Sequence, residues 1–143
     1  MIKEGHKSFT YNLELNEEQA RTVLNALEFY VRMGIGQWDE TGRQFLDLKD
    51  DMYVEKTDEL KRGMAKLRKI VYPELPEDMN ASYGVSAIPK ACAAWEILEV
   101  LRHSMAWAKH PEGGYTVDFG RPISFSGKPL AKCAAVKSTE EKG

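Results

Sequence analysis

Two arginines stand where arginine is costly. Arg32 falls in Phe29-Tyr30-Val31-Arg32-Met33-Gly34-Ile35-Gly36-Gln37-Trp38, and Arg102 falls in Leu98-Glu99-Val100-Leu101-Arg102-His103-Ser104-Met105-Ala106-Trp107. Each places a guanidinium on a largely apolar stretch, and such a group needs an anion. The anion is either a carboxylate of the chain, such as Glu28 or Glu99, or an anionic ligand. In the ligand reading the arginines grip phosphate while Tyr83, Trp38 or Trp107 stacks on a base. Tyr83 sits beside Gly84 in a turn-rich loop, where binding groups are often carried.

Other chemistry finds little footing. The chain has no GxxxxGK[ST] loop, no GxGxxG after a strand, no HExxH and no GxSxG elbow. His103 and Asp118 would make an acid–base pair, but neither a nucleophile nor an electrostatic clamp accompanies them. His103, His110 and Asp118 are the conceivable metal ligands, yet His110 coincides with a helix stop at His110-Pro111. No cofactor or metal is expected. Cys92 and Cys133 have neither zinc-ligand spacing nor a CxxC pattern, which suits a reduced compartment.

The elements that must position the arginines are mostly helices. Phe9, Tyr11, Leu13 and Leu15 alternate with polar residues, the pattern of a strand with one wet face. Asn16 with Gln19 three residues on forms a capping box for a helix that ends or kinks at Gly34. A second helix is expected from Thr57 to Tyr72, with Lys61, Arg62, Lys66, Arg68 and Lys69 forming a basic solvated face. The longest helix should start with Ser86 as N-cap and Pro89 early, and run to about Lys109. Trp95 and Leu98 lie on one of its faces and Val100 and Trp107 on another, so burial on two sides and a homo-oligomer are expected. Tyr115–Phe119 and Ile123–Phe125 read as short strands. The expected fold is therefore α+β: three to four helices, with a small antiparallel sheet formed by the N-terminal strand and the C-terminal strands.

With 143 residues, a single domain spanning 1–143 is expected, with a disordered tip at about 138–143. The net charge of -2 with interleaved signs argues against a protein that holds duplex nucleic acid through many phosphates. No apolar run is long enough for a bilayer and no signal-peptide pattern opens the chain, so a cytoplasmic location without membrane partners is expected.

Three stretches carry a family resemblance. ALEFYVRMGIGQWDE, ASYGV and AWEILEVLRHSMAWAKHPEGGYTVDFGRP resemble a group of small bacteriophage proteins that includes the Thoeris anti-defence sponges. Those proteins sequester a cyclic ADP-ribose signal without degrading it, and some also accept cyclic oligonucleotides at a different site. They are oligomeric and bind ligand where protomers meet. The resemblance implies a non-enzymatic cytoplasmic protein of the infected bacterial host, a cyclic nucleotide as ligand, and Arg32, Tyr83 and Arg102 as contacts, joined by Gln37 and His103. Tyr83 stands where the family has a phenylalanine-like stacking position. The alternatives are an inhibitor of a host protein acting by direct contact, through the basic helix face or the tail, and a small nucleotide-processing enzyme using His103 and Asp118.

Overall fold

A computed structural model describes residues 8–78 and 80–138. The expected Met1–Lys7 start, with His6, and nearly all of the expected disordered tip lie outside those residues. Four α-helices follow one another: α1 (Glu17–Gly34), α2 (Glu40–Phe45), α3 (Tyr53–Val71) and α4 (Pro89–Lys109), with single 3-10 turns at Val85–Ala87 and Val117–Phe119.

The expected sheet is absent: among the described residues there is no strand at all. Alternation along Phe9–Leu15 supplies one apolar edge, but a strand also needs a neighbour to take up its N–H and C=O groups. No such neighbour lies among the described residues, and Tyr11 remains 88% exposed. The Tyr115–Phe119 stretch is captured differently. The Trp107 indole N–H donates to the carbonyl of Phe119 at 3.1 Å, and His103 Nδ1 donates to that of Asp118 at 3.0 Å, so Val117–Phe119 closes as a tight turn on α4.

α1 begins as its sequence dictates. The Asn16 side chain accepts from the Gln19 amide at 2.8 Å while Gln19 Oε1 accepts from the Asn16 amide at 3.0 Å, satisfying two donors that the first turn leaves open. α4 differs from expectation. Ser86 belongs to the 3-10 turn, and Ile88 precedes Pro89 without any side-chain cap. Proline tolerates this position because its missing N–H would have had no helical partner.

The most extensive helix pairing is α1 on α4, with the end of α1 against the start of α4. Val31, Ile35, Ala91 and Ala94 form the core cluster there, rimmed by Leu27, Tyr83, Val85, Ile88 and Trp95. Small residues permit the approach: a Cβ on Gly34 would stand 3.2 Å from that of Ala91. The second face of α4 is only partly covered in the single chain: Val100 is half-buried and Trp107 packs edge-on against Phe119, while Ile97 and part of Trp107 remain exposed. α3 grips the Gly34–Gly36 turn through its C-terminal end, where the Tyr72 hydroxyl donates to the Gly34 carbonyl at 2.7 Å.

One buried carboxylate ties the C-terminal arm to α4. Glu96 accepts from the Ser126 hydroxyl at 2.7 Å and the Ser126 amide at 3.2 Å, and from Cys92 Sγ at 3.5 Å. The Ser126 hydroxyl bond, helped by the amide and by Cys92 and Ser124 and opposed by burial, holds the Glu96 carboxyl below its usual range. Burial, and then the neighbouring Glu96, push the Cys92 thiol up. Because Glu96 is depressed in the folded state, its contribution is complete above the ordinary glutamate value of about 4.3 and is lost as pH falls through the lower folded value. The Ser126 amide should therefore exchange faster as pH falls through that window, after correction for intrinsic exchange. Chymotrypsin should cut after Phe125 sooner in Glu96→Gln than in the unaltered protein at neutral pH. Equal cutting rates would show that the arm is held elsewhere.

Candidate functional site

Arg32 lies in the last turn of α1, and its guanidinium is shared. Nε and Nη2 donate to Glu28 Oε1 at 3.3 and 3.1 Å, Nη1 donates to Gln37 Oε1 at 2.8 Å, and Glu40 Oε2 stands 3.9 Å from Nε. Gln37 passes the contact on, its amide nitrogen reaching the Ser82 hydroxyl at 3.4 Å. Tyr83 follows immediately, with its backbone N–H donating to the Ile35 carbonyl at 2.8 Å. The turn after α1 and the loop before α4 thus bring Arg32, Gln37, Ser82 and Tyr83 together across nearly fifty residues of chain.

Tyr83 is not a free platform. Its ring packs edge-on against Tyr72, with centroids 5.4 Å apart, and forms part of the rim of the α1–α4 core. Its hydroxyl oxygen is buried without a hydrogen-bond partner among the described residues, a condition that native structures rarely leave unrelieved. Trp38 is likewise committed, donating from its indole N–H to the Met33 carbonyl at 2.9 Å.

Beside this cluster is a concavity of about 160 Å³ lined by Arg32, Gln37, Asp39, Glu40, Arg43 and Asn80. Small-ligand pockets typically enclose ~300–1,000 Å³, so within one chain this one accommodates a phosphate-sized group and not a whole nucleotide. Its two arginines face two carboxylates, which leaves the lining without a net positive charge.

Arg102 and His103 form a second cluster on α4. Arg102 Nε stands 2.8 Å from Asp118 Oδ1, an ion-pair distance without the alignment of a hydrogen bond. The guanidinium carbon lies 5.4 Å from the centroid of the Trp95 ring, within cation–π range. Glu99, the carboxylate that the sequence offered to Arg102, is not its partner, and Glu99 Oε2 is buried without a hydrogen bond among the described residues. His103 meets the carbonyl of Asp118, which can only accept, so Nδ1 carries the proton. The carboxylate of Asp118 is on Arg102, so the His103–Asp118 acid–base arrangement does not form. His110 pairs with Glu112 at 3.5 Å, and no three His, Cys, Asp or Glu side chains converge as metal ligands among the described residues.

No hydrogen bond or ion pair joins the two clusters among the described residues. Gly34 abuts Ala91, close to the Arg32 end of α1, and Arg102 is eleven residues farther along α4, roughly 16 Å away at 1.5 Å per residue.

Arg68 overturns the reading of α3 as a plain solvated basic face. It is 2% exposed, and its guanidinium donates to four backbone carbonyls: Gly36 and Ala81 from Nη1 at 2.9 Å each, and Pro76 and Asp78 from Nη2 at 2.6 and 2.9 Å. The run of lysines and arginines gave no local signal of this, because all four acceptors are backbone atoms outside the helix.

No family model, curated protein or solved structure matches this chain.

Proposed function

We propose that this chain binds and sequesters a cyclic nucleotide immune signal, a cyclic ADP-ribose isomer or a cyclic oligonucleotide at a separate site, without cleaving it. In this reading it is a phage anti-defence protein acting in the cytoplasm of the infected host, and its sites are completed where protomers meet. The ligand class comes from the motif resemblance to the Thoeris sponges. The supporting observation is a pair of partly exposed arginine clusters on each chain, one around Arg32 and Gln37 beside Tyr83 and one around Arg102 and His103, with no hydrogen bond or ion pair between them among the described residues. Arg32 from one protomer and Arg102 from another would supply the two cations that a pyrophosphate-bearing ligand requires. The buried Tyr83 hydroxyl would gain the partner it lacks.

Surface area supports assembly. The accessible surface is 11663 Å², against about 7,450 Å² for a folded monomer of this mass by the usual scaling. Part of that surface belongs to the arms outside the helices, residues 8–16 and 120–138, where Phe9, Tyr11, Leu13, Ile123 and Phe125 are among the exposed apolar side chains that a contact between protomers would cover. Sedimentation at micromolar concentration should give an oligomer, and a monomer would reject shared sites. The ligand claim is tested by incubating the protein with a panel of cyclic nucleotides, washing, releasing by heat and weighing the product. Recovery of intact ligand at its original mass supports sequestration. A changed mass makes the protein an enzyme.

A second reading is favoured by one surface. An open apolar groove of about 380 Å³ between α2 and α3 is lined by Leu46, Leu60, Met64 and Leu67 with Lys56 and Glu59 at its edge, which fits an inhibitor that docks on a host protein. It predicts a stable complex with that protein and no nucleotide uptake.

A further inference from the structure

We infer that Arg68 is a positioning residue of the Arg32 cluster: its guanidinium staples the turn after α1 to the loop before α4, and so sets where Gln37 and Tyr83 stand. The inference rests on the sequestration reading for its effect on ligand, and on geometry alone for its effect on the loop.

The register of the four carbonyls carries it. Gly36 immediately precedes Gln37, and Ala81 immediately precedes Ser82 and Tyr83, so one nitrogen, Nη1, is bonded to the residue before each half of the cluster at 2.9 Å. Nη2 holds Pro76 and Asp78 and fixes the path of the loop between them. A guanidinium can do this because it presents several N–H donors in one rigid plane. No carboxylate oxygen lies within ion-pair distance of Arg68 among the described residues. The cation is buried on carbonyl dipoles alone. Such a costly placement is not needed to close α3, which ends by its own backbone bond from Tyr72 to the Arg68 carbonyl at 2.7 Å. What the side chain adds is polar alignment of two segments that otherwise share the Tyr83 to Ile35 backbone bond, the 3.4 Å Gln37 to Ser82 contact and the packing of Tyr83 on the α1–α4 core.

The test compares Arg68→Lys with Arg68→Met, and with Leu24→Ala on α1 as a general destabilisation control. Lysine keeps the charge but cannot span four carbonyls from one plane. Two readouts are taken on each variant: hydrogen exchange at the Tyr83 amide relative to amides of α1 and α4, and affinity for cyclic ADP-ribose. In Arg68→Lys and Arg68→Met the Tyr83 amide should exchange roughly ten- to a hundredfold faster while α1 and α4 stay protected, with affinity reduced by a similar factor. Leu24→Ala should lower the melting temperature and move neither readout. Tyr83 protection that is unchanged in both Arg68 variants overturns the inference, as does unchanged affinity alongside a freed Tyr83. If the unaltered protein takes up no cyclic nucleotide, the proposed ligand fails on its own account, and Tyr83 exchange alone decides whether Arg68 holds the loop.

Discussion

Arg102→Ala is expected to bind cyclic ADP-ribose roughly thirty- to several-thousand-fold more weakly than the unaltered protein, the equivalent of ~2–5 kcal/mol for truncating a desolvated charge partner. Arg32→Ala should behave alike. The fold should survive both changes. Arg102 and Asp118 are each partly exposed, so losing that pair costs about 1 kcal/mol or less, a shift of roughly 2–4 °C in melting temperature for a chain of this size. Asp118→Asn separates the two roles of the guanidinium. It removes the internal anion while leaving Arg102 over Trp95, and affinity should hold or tighten. Titration calorimetry and melting curves on the three variants read both quantities. Unchanged affinity with lowered stability in both arginine variants would make Glu28 and Asp118 their whole purpose and remove the phosphate clamp.

Gly36→Ala should be the most damaging single change to the turn that carries Gln37. Gly36 has φ +95°, and a Cβ built there would stand 2.6 Å from Leu75 Cδ1. The backbone conformation costs an L-residue ~1–2 kcal/mol, and displacing the buried Leu75 adds ~1–3 kcal/mol. The sum corresponds to a melting temperature lower by roughly 5–15 °C. Gly34→Ala is the natural comparison. Gly34 is helical, and its added methyl would meet Ala91 alone, the Cβ at 3.2 Å and the Cα at 3.9 Å, so a smaller loss is expected. Equal melting of Gly36→Ala and the unaltered protein would contradict the packing of Leu75 on this turn.

The parts of the fold legible in the sequence are those whose cause is local. Asn16 and Gln19 announce the start of α1 because a capping box closes within four residues, and Pro89 marks the start of α4 because proline suits the first helical position. The strand reading of Phe9–Leu15 failed because alternation specifies a face and says nothing about a neighbouring edge. Val117–Phe119 became a turn because two side chains of α4, His103 and Trp107, compete for its carbonyls. Arg68 was misread for a related reason: a basic residue in a basic run looks solvated unless the loop that buries it is already in place. At the site, Arg32 and Gln37 were legible together because they are five residues apart and bond directly. The Asp118 partner of Arg102 lies sixteen residues downstream, whereas Glu99 was the obvious neighbour. The buried Tyr83 hydroxyl left no trace in the sequence, since the loop reading placed the ring against a ligand base.

In the sequestration reading, one nucleotide site takes Arg32 from one protomer and Arg102 from another. Co-expression of Arg32→Ala and Arg102→Ala chains, each silent when made alone, tests it directly by the amount of cyclic ADP-ribose retained per chain and released intact by heat. Random assembly into symmetric oligomers should recover about a quarter of the full number of sites, because half of the chains supply each intact arginine. Mixed oligomers that retain no more ligand than either variant alone would contradict the shared site.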